Sequence, residues 1–64
     1  MTVVDNLSED EIRKFDALSY IYSTTYSGSN LTAIVERWGN LQKTTTFSYS
    51  GSNLTASTTT WERL

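Results

Sequence analysis

Two patterns of apolar and polar positions divide the 64-residue chain near Ser19. Before that point Ile12, Phe15 and Leu18 recur at the spacing that places side chains on one side of an α-helix. Ahead of them, "LSEDEI" supplies a helix start. Ser8 caps, Glu11 reaches back to complete a capping box, and Leu7 staples to Ile12. Glu9, Asp10 and Glu11 stand where the helix dipole favours negative charge. These signals predict a helix over Glu9–Leu18, with Arg13, Lys14 and Asp16 on its solvated side.

Beyond Leu18, β-branched and aromatic residues replace the acidic helix formers, and the apolar period shortens toward that of a strand. "SGSN" occurs at 27–30 and 50–53 and suits a two-residue hairpin turn with Gly first, the type II′ arrangement. "WGNL" supplies a third turn. The predicted sheet is a four-stranded antiparallel meander with strands over 20–27, 30–38, 41–50 and about 53–61. The fold class expected is α+β: one domain over 1–64, with an N-terminal arm and helix over 1–18 and a meander of two repeated hairpins over 19–64.

The repeat is longer than its turn. "YSGSNLTA" stands at 26–33 and again at 49–56, and extending the match to Trp38 and Trp61 gives nine identities in thirteen positions. The two copies lie 23 positions apart. Strand residues alternate faces, so an odd period puts Tyr26 and Tyr49 on opposite sides unless one extra residue intervenes. A bulge or odd loop near Gly39-Asn40 is the expected remedy. Tyr20, Tyr22, Tyr26, Leu31, Ala33, Val35, Leu41, Phe47, Tyr49, Leu54 and Ala56 then share a face as the core under the helix. Thr32, Thr44, Thr46, Ser48, Thr55, Ser57 and Thr59 fall on the other, with Ile21, Ile34, Trp38 and Trp61.

Composition narrows the chemistry. There is no cysteine and no histidine, so disulfides, thiolate or zinc sites and the commonest general base are all missing. Seven acidic residues against five basic ones argue against a phosphate-binding surface. No apolar run approaches the roughly 18 residues of a membrane span, and "MTVVDNLSEDE" does not read as a signal peptide. Synthesis in a cytoplasm is expected. Asn6, Asn30 and Asn53 match the glycosylation acceptor pattern but read as turn and cap residues.

An enzyme is not expected, nor a cofactor, a metal, a small-molecule substrate, nucleic acid or a membrane as partner. Asp5, Glu9, Asp10 and Glu11 lack the looped ligand order of a calcium site. Nothing draws Asp16, Glu36 and Glu62 into one pocket. The candidate binding residues are those of the outer face: Ile21, Ile34, Trp38, Thr55, Ser57, Thr59 and Trp61, a surface for a protein partner. "LTASTTTW", uncharged and without proline, reads as a sheet edge that invites another strand. A domain this small, without staples, is a candidate for stabilisation by self-association.

Tyr-x-x-x-Asn-Leu-Thr followed by alternating apolar residues resembles the hairpin unit of YD-repeat shell proteins, although Ser27 and Ser50 replace the Asp after Tyr. In size and style, "YSGSNLT" hairpins between Tyr- and Thr-rich strands over 19–61 are more similar to very short proteins of tailed bacteriophages. That resemblance implies a non-enzymatic virion component: a capsid decoration or cement protein, or a head-to-tail or tail accessory protein. Its partners would be copies of itself and larger virion proteins. Two other readings stay open, a glycan-binding module using surface Trp and Tyr, and a host-directed phage regulator docking through the acidic helix.

Overall fold

The structure, a computed structural model, describes residues 2–64. Its elements run β1 (Thr2–Val4), α1 (Glu9–Leu18), β2 (Tyr20–Ser27), β3 (Asn30–Trp38), β4 (Leu41–Ser50) and β5 (Asn53–Arg63). The helix begins as its sequence dictates: Ser8 has extended backbone, its hydroxyl accepts the Glu11 N–H at 3.1 Å, and the Glu11 carboxylate accepts the Ser8 N–H at 3.2 Å. Two orphan donors are thereby satisfied reciprocally. Ser19 returns to extended backbone while its N–H still donates to the Phe15 carbonyl, and the β-rich run takes over.

The sheet is antiparallel, and it has five strands where the sequence predicts four; their order is β1-β5-β4-β3-β2. The added strand is the N-terminal arm, which pairs Thr2 with Arg63, Val3 with Glu62 and Val4 with Trp61. Three residues are too few to show a period, but Val3 and Val4 are β-branched and suit the place. Pairing with β1 also carries β5 two residues beyond Trp61.

Each meander turn has two residues, because Ser27 pairs with Asn30, Trp38 with Leu41 and Ser50 with Asn53. The first turn residue is always Gly at positive φ, 60°, 57° and 62°, and no other residue type has positive φ among the described residues. That combination matches the type II′ pattern, whose twist suits the flanking strands.

The expected irregularity at Gly39-Asn40 is therefore absent. It lies inside the repeat. Thr25 pairs with Ala33 and Tyr26 with Leu31, leaving Thr32 extra; Ser48 pairs with Ala56 and Tyr49 with Leu54, leaving Thr55 extra. Each extra threonine donates its hydroxyl across the hairpin, Thr32 to the Thr25 carbonyl at 3.1 Å and Thr55 to the Ser48 carbonyl at 3.0 Å. "YSGSNLTA" thus encodes a tight turn and the bulge that follows it, twice. The Thr32 bulge supplies the residue that brings Tyr26 and Tyr49 to one face.

A further bulge, at Tyr22, separates the pairs Ile21 with Glu36 and Ser23 with Val35. Together these shifts correct the expected face assignment. Following the register from Trp61, which touches the helix, one face carries Ile21, Tyr26, Leu31, Ile34, Trp38, Leu41, Phe47, Tyr49, Leu54, Ser57, Thr59 and Trp61. Tyr20, Ala33, Val35 and Ala56 fall on the reverse, with Thr44, Thr46 and Ser48. A bulge inverts the phase of everything beyond it, so the Trp end of the sheet turns toward the helix.

The core is small. Among the described residues the buried apolar side chains are Val4, Phe15 and Leu41. Leu18, expected under the helix, is exposed, and Ile12 is partly so. The radius of gyration is 12.9 Å, against roughly 10.7 Å for a compact chain of this length. The excess reflects strands of up to eleven residues that outreach a ten-residue helix.

Candidate interaction surface

One end of the sheet has a second layer. Both ends of the helix attach there, since β1 precedes it and pairs with Trp61 to Arg63, while Tyr20 follows it and pairs with Arg37. Phe15 sets the edge of its ring against Trp61, with centroids 4.8 Å apart and planes at 76°. The Lys43 ammonium lies 5.5 Å from the Trp61 ring centroid. Val4, Asp5, Leu7, Ile12 and Trp61 line a shallow hollow of about 140 Å³, which places the two staple residues at one site.

Charge closes the same end. Glu11 meets Arg63 at 3.1 Å, tying the first helical turn to the last strand. The backbone N–H of Ser8 first, and then Arg63, holds the Glu11 carboxyl below the usual glutamate range. The other first-turn acids have their own partners, Glu9 with Arg13 and Asp10 with Lys14 one turn along. On the reverse face a polar row crosses four strands: Arg37 stacks 3.7 Å over Tyr22 and donates to Gln42 at 2.8 Å, and Gln42 donates to Glu62 at 3.4 Å. Gln42 is buried and Arg37 half-buried, so these bonds replace water that the side chains have lost.

The other end, which carries both repeat turns, is a single layer. Its apolar face presents Tyr26, Leu31, Ile34, Phe47, Tyr49 and Leu54; its reverse presents Thr25, Ala33, Thr46, Ser48, Ala56 and Thr58. Tyr26 is 60% exposed and Leu54 57%. Within this end the two copies grip one another. Asn30 donates its side-chain amide to the Gly51 carbonyl at 2.9 Å, and the Tyr49 hydroxyl donates to the Leu31 carbonyl at 2.6 Å.

Of the residues singled out from sequence, Ile21, Ile34, Trp38, Ser57, Thr59 and Trp61 do share a face, but it is the face the helix covers at one end. Trp61 is engaged with Phe15 and half-buried. Trp38, beside Leu41 at the same end, is half-buried too. Thr55 is a bulge residue. The uncovered apolar face is instead built from Tyr26, Phe47 and Leu54, which the sequence reading assigned to the core. The signal was present in chain length: strands of eight to eleven residues, roughly 26 to 36 Å, cannot be roofed by a helix of about 15 Å.

Among the described residues no helix is long and apolar enough to cross a membrane. No protein-family model, no curated protein and no solved structure matches this chain.

Proposed function

We propose that the chain is a non-enzymatic structural subunit of a phage virion, a capsid decoration or cement protein or a head-to-tail or tail accessory protein. It works by associating with its own copies and packing on larger virion proteins. The phage assignment is supported by the resemblance of the "YSGSNLT" hairpins. The mode of action is supported by one observation above others: half the sheet is a single layer with an apolar face, although among the described residues only three apolar side chains form the buried core. A sheet in water needs a second layer on its apolar face, and an uncovered one of this kind marks a contact surface.

The glycan reading loses one of its two tryptophans, because Trp61 packs against Phe15. The host-regulator reading loses free acidic charge, because Glu9, Asp10 and Glu11 are each ion-paired. Mass spectrometry of purified phage particles tests the proposal. The polypeptide is expected in the particle at a fixed copy number that survives salt washing. Its absence from particles, with one stoichiometric partner recovered from host lysate, contradicts it.

A further inference from the structure

The two hairpins sit side by side in an arrangement that has an unused half at each outer strand. In the seam inside the chain, the first copy offers the Asn30 amide and the Leu31 carbonyl, and the second copy answers with the Gly51 carbonyl and the Tyr49 hydroxyl. The second copy carries the same offer again on β5, as Asn53 and Leu54. The first copy carries the same answer, as Tyr26 on β2 and Gly28 in the turn that follows it. Among the described residues none of these four groups has a partner at its seam position. The contrast in exposure follows: Asn30, Leu31 and Tyr49 are half-buried, whereas Asn53, Leu54 and Tyr26 are exposed.

Backbone geometry agrees. A two-residue turn makes Ser50 and Asn53 a hydrogen-bonded pair, so Leu54 next to it directs its own N–H and C=O away from β4. Trp38 and Leu41 form such a pair as well; alternation then points Gln42, Thr44 and Thr46 toward Glu62, Thr60 and Thr58, and leaves Ser57 and Thr59 facing outward. Above them β1 takes the edge only from Trp61. Transposing the internal register, Ala33 opposite Thr46, by one repeat sets Ala56 opposite Ser23 of a second copy. Both lie on the reverse face, as the internal pair does. From there the pairing runs as far as Ser57 opposite Tyr22, where the bulge turns the Tyr20 and Ile21 end of β2 out of phase, so the seam stops short of β1.

We propose that a second copy of this chain docks its β2 edge on the β5 edge, head to tail, repeating the seam already made between the two hairpins. Tyr26 of the second copy donates to the Leu54 carbonyl, and Asn53 donates to the Gly28 carbonyl of the second copy. The contact is heterologous, so it propagates to a ring or a filament instead of stopping at a symmetric dimer. It deepens the structural role proposed above and rests on it, and it names the partner and the register.

Edge-blocking variants test it by sedimentation velocity over a concentration series. Thr24→Pro removes an outward N–H on β2, and Ser57→Pro removes one on β5 opposite Tyr22, each without touching an internal ladder bond. The unmodified chain is expected to form assemblies of more than two copies. Each variant alone is expected to stay monomeric, and an equimolar mixture is expected to give a one-to-one dimer, from the free β5 edge of one variant and the free β2 edge of the other. Dimers of Thr24→Pro alone, a mixture that stays monomeric, or an unmodified chain that stays monomeric would each overturn the inference. Should circular dichroism show that proline unfolds the subunit, Tyr26→Phe and Asn53→Asp carry the same test, with association weakened by about 2- to 13-fold for each bond lost. Unchanged association in both overturns it. Particles that contain the polypeptide while the mixture stays monomeric would sink this seam and leave the virion role standing; the seam in a chain missing from particles would do the reverse.

Discussion

The side-chain amide of Asn30 donates to the carbonyl of Gly51 at 2.9 Å, so the first copy of the repeat holds the turn of the second. The same eight residues therefore do two jobs. They build a hairpin, and they supply both sides of a contact between neighbouring hairpins.

The bulge threonines give the first prediction. Thr32 is half-buried and its hydroxyl satisfies the Thr25 carbonyl, so Thr32→Val is expected to lower stability by about 0.5–1.5 kcal/mol in urea denaturation. Thr55→Val, at an exposed position, is expected to cost less. A stabilised Thr32→Val would count against the bulge as the organising feature.

Turn geometry gives the second. Gly39 has φ 57°, and a side chain added there meets nothing within 4 Å, so the penalty for Gly39→Ala is conformational alone. About 1–2 kcal/mol is expected. A chemically synthesised chain with D-alanine at position 39, for which positive φ is favourable, is expected to match or exceed the unmodified chain in denaturant midpoint.

How much of this was legible in the sequence varies along the chain. The helix and the turns were readable because Ser8, Glu11 and the three glycines act locally, on neighbours a few residues away. The bulges were not, because an extra residue becomes visible only when the partner strand is known. The letter-for-letter recurrence of Thr32 and Thr55 was their trace. The side of the sheet to which Trp61 and Ile34 point followed that error, since each bulge reverses the faces beyond it. The β1 strand escaped because "TVV" depends on Trp61 to Arg63, almost the whole chain away, for its hydrogen bonds.

Phe15 gives a third prediction. It is 1% exposed and packs against Trp61, and Phe→Ala changes at such positions cost about 3–5 kcal/mol. A chain of this length holds roughly 3–10 kcal/mol in total. Phe15→Ala is therefore expected to shift Trp fluorescence to the red and leave little folded protein, with Phe15→Leu falling between. Unchanged Trp emission in Phe15→Ala would contradict the packing of Trp61 under the helix.

Acid gives a fourth. Because the Ser8 N–H and Arg63 hold the Glu11 carboxyl below its ordinary range, the folded state favours the ionised form. The resulting stabilisation is complete above the unfolded glutamate range and is lost as pH falls through the lowered folded value. Glu11→Gln is expected to flatten the acid limb of a stability-against-pH curve. An identical acid limb in that variant would remove Glu11 from the account.

The most direct measurement compares two equivalent tyrosines. Tyr49 donates to the Leu31 carbonyl at 2.6 Å across the internal seam, whereas Tyr26, its counterpart one repeat earlier, is 60% exposed on the outer strand. Unfolding free energies at concentrations where the chain is monomeric should separate Tyr49→Phe, lower by about 0.5–1.5 kcal/mol, from Tyr26→Phe, within about 0.5 kcal/mol of the unmodified chain. Equal effects from the two substitutions would contradict the seam on which the account rests.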